Sequence, residues 1–160
     1  MMGTSHRLVN FTMVGAATCS LPAALCAMLG SAFPDSSEWL LWGRARNRHH
    51  RRLTHWFVPW LALALLCLHR GGGRAPDLAG LAAGAGQDLW ACAGFWCVGC
   101  LLHILLDACC GKVPFLVPWR RTFGVHLFRM SPRAGEFSHS EMAVTFFLSA
   151  TALGAWAARL

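Results

Sequence analysis

Four apolar stretches separated by short polar breaks set the plan of this 160-residue chain. Residues 11–33 are apolar over a length that, at about 1.5 Å per residue, would cross a hydrocarbon core of about 30 Å. Thr18, Ser20 and Pro22 interrupt the run near its middle. A proline inside a helix removes a hydrogen bond and clashes with the preceding turn. The segment therefore reads either as one kinked transmembrane helix or as a helical hairpin, 9–17 and 22–29, that returns to the side where it began. The choice decides whether His6 and Asp35 lie on opposite faces of the membrane or on the same one. Residues 56–68 form a second, shorter stretch, with Trp56 and Trp60 placed as interfacial anchors. A glycine-rich turn at 69–74 and a weakly helical Ala/Gly segment at 78–86 lead to the third stretch, 89–106. A final helix is expected over about 140–158, after an irregular loop at 111–133 that Pro114, Pro118 and Pro132 break up.

Polar residues at the edges of these stretches mark helix starts. Asp35 and Glu38 have the spacing of a capping box that would open a short helix through Trp42, and Ser138 and Glu141 repeat it before the last helix. Thr54 and Asp88 are the expected caps of the second and third stretches.

Composition places this plan in a membrane. With 56% apolar and 13% charged residues, the chain is too apolar for an ordinary soluble domain, and its length predicts a single membrane-embedded domain over 1–160. The expected fold is all-α: an integral membrane helical bundle of about four hydrophobic segments. The formal charge of +7 is bunched. Arg44, Arg46, Arg48, Arg51 and Arg52 form one block, and Lys112, Arg120, Arg121, Arg129 and Arg133 another. Such blocks beside apolar segments read as cytoplasmic loops contacting anionic headgroups, with the arginines as a solvated face. No recognition module accompanies them, so specific nucleic-acid binding is not expected. Cys19, Cys26, Cys67, Cys92, Cys97 and Cys100 lie in apolar segments, where cysteine acts as a small hydrophobe. The N-terminus lacks the pattern of a cleaved signal peptide.

The chemistry that stands out is histidine and aspartate. His103 and Asp107 are one helical turn apart, so both emerge on one face. An imidazole and a carboxylate suit a divalent ion, zinc first and manganese second, which activates water near neutral pH. A hairpin of the second and third stretches brings both basic blocks to one membrane face, where His50, His55, His103 and Asp107 converge. Asp35 is either a cap or a metal ligand and general base, His55 is a further candidate for proton transfer, and His6 joins if the first run folds back. His49 is a stand-in for His50, and His126, His139 and Glu141 are reserve ligands.

In order, these residues carry a resemblance. Ser5-His6, then Leu29-Gly30-Ser31-Ala32-Phe33-Pro34-Asp35, then His50-Arg51-Arg52-Leu53-Thr54-His55, then His103-Ile104-Leu105-Leu106-Asp107 followed by Gly111 and Pro118 resemble the YdjM-like family of inner-membrane metal-dependent hydrolases. That family is in turn distantly similar to zinc-dependent phospholipase C and the P1-type nucleases, helical enzymes that hydrolyse phosphate esters with clustered zinc ions. The resemblance implies a bacterial-type inner-membrane protein. His6, Asp35, His50, His55, His103 and Asp107 would be its metal ligands, and Asp35 or His55 would handle protons. The substrate would be a phosphoester or related ester, lipid-derived or a small molecule, with membrane lipids as neighbours. The alternative is a non-catalytic membrane module whose arginines bind anionic lipid or a partner protein. A transporter relaying through His103, Asp107 and Asp88 ranks third.

Overall fold

The first apolar run breaks where its polar residues fall. Cys19 takes a left-handed φ of 53°, and Ser20 turns its side chain to accept from the Ala23 amide. Pro22 falls in the first turn of the next helix, where a missing N–H costs nothing. In the computed structural model, which describes residues 3–45, 51–127 and 138–159, this break separates α1 (Gly3–Thr18) from α2 (Leu21–Gly30). The two helices pack against each other, so the run is a hairpin and not a single crossing, and His6 and Asp35 share one end.

Helix α3 (Phe33–Trp42) follows, then short 3-10 turns at Gly43–Ala45 and Leu53–His55. Next come α4 (Phe57–Arg70), α5 (Leu78–Ala82) and α6 (Gly86–Cys110). Helix α6 is the axis: α2 and α4 pack along it, and α1 packs on both α2 and the last helix, α7 (His139–Ala157). At 25 residues α6 measures about 37 Å, enough to cross a bilayer core, and among the described residues it alone has the length and hydropathy to do so. The 14-residue α4 is apolar but shorter.

The pattern of burial is inverted relative to a water-soluble bundle. The largest fully buried side chains are His6, His55, His103, Glu38 and Glu141, while Leu61, Leu63, Leu65 and Leu66 of α4 and Phe146 and Phe147 of α7 face outward. Polar groups turned inward and leucines turned outward are what a hydrocarbon surround selects.

Several expected caps move. Ala32, not Asp35, occupies the N-cap of α3, and no side chain caps that helix. Helix α4 starts after Trp56 without a side-chain cap, because the Thr54 hydroxyl donates instead to Glu38 Oε1 at 2.9 Å. Helix α6 starts earlier than expected, at Gly86, so Asp88 lies inside its first turn, fully buried and paired with Arg74 at 2.9 Å. It also runs on to Cys110 and takes in Asp107. Ser138 does cap α7, accepting from the Glu141 amide at 3.0 Å, but the Glu141 carboxylate accepts from Ser5 Oγ on α1 rather than reaching back to the cap. The expected irregular loop contains a small antiparallel ribbon, β1 (Val113–Pro114) with β2 (Arg121–Phe123).

Candidate metal centre

Four separate elements end or begin at one pole of the bundle. Helix α1 begins there with His6, α3 begins with Asp35 and Glu38, the turn before α4 carries His55, and α6 ends with His103 and Asp107. His6, His55, Glu38 and His103 are fully sequestered and Asp107 nearly so, while the Asp35 side chain keeps 25% of its surface exposed.

His55 is the hub. Its Nε2 lies 3.2 Å from His103 Nε2, 3.4 Å from Asp107 Oδ2 and 3.8 Å from Asp35 Oδ1. His6 Nε2 lies 3.3 Å from Asp107 Oδ1 without the alignment of a hydrogen bond, and its ring stacks on His103 with centroids 3.9 Å apart. Two triads, His6–His103–Asp107 and Asp35–His55–His103, each bring their donor atoms within 4.8 Å of one another and could hold a metal ion.

The spacing of the donor atoms fits such an ion. Two nitrogens bound to one tetrahedral zinc at about 2.0–2.1 Å stand about 3.3 Å apart. The 3.2 to 3.4 Å separations around His55 Nε2 match that spacing. The neighbouring carboxylates also act on the His55 imidazole itself. Burial opposes its charged form, but hydrogen bonds and charge from Asp107 and Glu38 outweigh it and raise His55 from 6.5 to about 9.

Two residues with other expected roles hold the cluster in place. Glu38, expected as half of a capping box, is fully buried. Its Oε1 lies 3.0 Å from His55 Nδ1 and accepts from the Arg51 amide at 2.8 Å as well as from Thr54. Arg51, expected on a solvated face, is 7% exposed and grips Asp107, with Nε 2.7 Å from Oδ2 and Nη2 donating to Oδ1 at 2.9 Å. The same carboxylate faces His6 Nε2 at 3.3 Å and His55 Nε2 at 3.4 Å. Arg51 and Thr54, which both contact Glu38, sit inside the same His-Arg-x-x-Thr-His string that supplies His55. Arg44 and Arg52 do stay exposed.

The remaining candidates do not gather here. His126 and His139 are exposed and belong to neither triad, and Glu141 is buried against Ser5. Asp88 lies at the opposite pole with Arg74, which removes it from any relay with His103 and Asp107. His49 and His50 lie outside the described residues.

The fold is a helical bundle with an outward apolar face, one helix long and apolar enough to cross a membrane, and a buried histidine–carboxylate cluster that could hold a metal ion. The chain belongs to the YdjM inner membrane protein family, whose model matches residues 1–159. No curated protein and no solved structure matches it.

Proposed function

We propose that the protein is a membrane-bound metal-dependent hydrolase acting on a phosphoester or related ester. The observation that carries this reading is the gathering of His6, Asp35, His55, His103 and Asp107 into one buried cluster with a single partly exposed carboxylate. His6, His55, His103 and Asp107 hold the ion, zinc or manganese, with Asp35 at its accessible side. Bound there, such an ion acts as a Lewis acid and lowers the pKa of water. Asp35, reachable from outside, takes the proton of the attacking water. The new oxygen bonds to phosphorus, the ester bond breaks, and the proton leaves with the alcohol. Glu38 orients His55 through Nδ1, so that Nε2 presents its lone pair to the cluster.

The pole that carries the cluster also carries Arg44, Arg51, Arg52, Lys112, Arg120 and Arg121. Basic residues flanking spans favour the cytoplasmic side, so the site faces the cytoplasm at headgroup depth of a bacterial-type inner membrane. That depth favours a lipid-derived ester. The four apolar segments together embed one domain in the bilayer, with α1–α2 and α4 as shorter elements around α6.

Metal analysis of the detergent-purified protein tests the proposal. Wild type should carry zinc or manganese and hydrolyse bis(p-nitrophenyl) phosphate. The His103→Ala, Asp107→Ala double variant should lose both. Full metal retention in that variant would remove the site.

A further inference from the structure

Beside the cluster lies a pocket of about 240 Å³ whose wall includes Arg7, Ser31, Asp35, Ser36 and Trp39. Asp35 belongs both to this wall and to the cluster, with its Oδ1 3.8 Å from His55 Nε2. Helix α1 sends two consecutive side chains different ways: His6 is fully buried in the cluster, and Arg7 is exposed in the pocket wall. Arg7 makes no hydrogen bond or ion pair to the described residues, so its guanidinium is available to a ligand. Trp39 in the pocket wall is 67% exposed, and Leu40 and Leu41 next to it on α3 are 80% and 59% exposed, a surface suited to lipid.

Resting on the hydrolase reading above, we infer that Arg7 binds the phosphoryl oxygens of the substrate, which makes the substrate a phosphoester anion and not a neutral carboxylic ester. A guanidinium presents paired N–H donors that match two phosphoryl oxygens, which an ammonium cannot do. Arg7 also offsets the repulsion between the anion and the Asp35 carboxylate in the same pocket. The phosphorus is thereby held beside the carboxylate that accepts the water proton. The phosphoryl group belongs either to a lipid headgroup or to a soluble ester, and the same Arg7 contact serves both.

Phosphorus NMR gives a readout independent of turnover. Inorganic phosphate titrated into chelator-treated, detergent-solubilised protein should broaden on binding. Arg7→Gln should weaken that binding by about 10- to 100-fold, the range of a charge-assisted hydrogen-bonded contact, and Arg7→Lys should keep part of it. In zinc-loaded protein, Arg7→Gln should raise KM for bis(p-nitrophenyl) phosphate by a similar factor with zinc content unchanged. Turnover of dihexanoyl phosphatidic acid at a lower KM than glycerol 3-phosphate identifies a lipid source, and the reverse a soluble one. Phosphate binding and KM equal to wild type in Arg7→Gln would overturn the assignment while leaving the metal centre intact. Arg7-dependent phosphate binding in a protein that takes up neither zinc nor manganese when they are added back would instead keep the anion site and remove the hydrolase reading.

Discussion

Glu38 Oε1 stands 3.0 Å from His55 Nδ1, while the opposite ring nitrogen of His55 faces Asp35, His103 and Asp107. A carboxylate behind a ligating imidazole fixes its tautomer and raises its basicity, and loss of such a partner costs about 10–100-fold in metal affinity. Glu38→Gln keeps an acceptor oxygen but removes the charge. The expected result is zinc affinity lower by about that factor, measured by chelator competition, with the helical circular dichroism spectrum retained. Unchanged affinity would reduce Glu38 to a structural bond.

The same contacts set a pH dependence. Folded His55 titrates at about 9 against an ordinary 6.5, so its protonated form is favoured by folding. In the chelated protein that contribution is fully present below about 6.5 and is lost as pH rises through about 9. Thermal unfolding of the metal-free form should therefore move to lower temperature between these limits. Zinc needs the neutral imidazole, so its uptake below pH 9 should release a proton, and apparent affinity should climb across the same window. Calorimetry in buffers of different ionisation enthalpy reads the proton directly.

How much of this is readable from the string of residues differs between elements. The break at Ser20 and Pro22, the shared face of His103 and Asp107 and the prominence of Asp35 are local facts, and periodicity exposes them. Glu38 is different. A carboxylate three residues after Asp35 suits a capping box, and only the start of α3 one turn earlier, with Ala32 at the N-cap, frees it for His55. Arg51 sits in a charge run that reads as solvated; its burial comes from Asp107, a residue 56 positions away that the chain reveals only once α6 is docked. Asp88 is misread in the same way, because its partner Arg74 lies across a turn. Non-local charge pairing, more than helix position, is what the linear pattern conceals.

Arg51 tests that pairing. Removing one partner of a buried ion pair costs about 3–5 kcal/mol, because the other charge is left uncompensated. Arg51→Met should therefore destabilise the chelated protein, since it removes both guanidinium contacts to Asp107. Zinc supplies the missing positive charge on the same carboxylate, so the loss should shrink on metal addition. The check is the shift in Tm with and without zinc. A penalty that zinc leaves unchanged would mean that Arg51 acts through packing and not through charge.

Two glycines decide whether the halves of the cluster meet at all. A Cβ at Gly99 of α6 would overlap the Ala27 carbonyl of α2, and one at Gly30 of α2 would overlap the Trp96 carbonyl of α6. Both obstacles are backbone, so neither can swing aside, and the helices must separate. Small residues at such crossings let membrane helices approach closely. Since α3 follows α2 directly, separation carries Asp35 away from His55 and His103. Gly99→Ala should thus cost about 1–3 kcal/mol of stability and also lower metal affinity, although Gly99 touches no ligand. Gly154→Ala is the control: nothing lies within 4 Å of its added Cβ, and alanine is the better helix former. Tm and zinc titration of the two variants side by side should show Gly99→Ala weakened in both respects and Gly154→Ala at or above wild type. Equal behaviour would mean that α2 and α6 tolerate a wider crossing without disturbing the cluster.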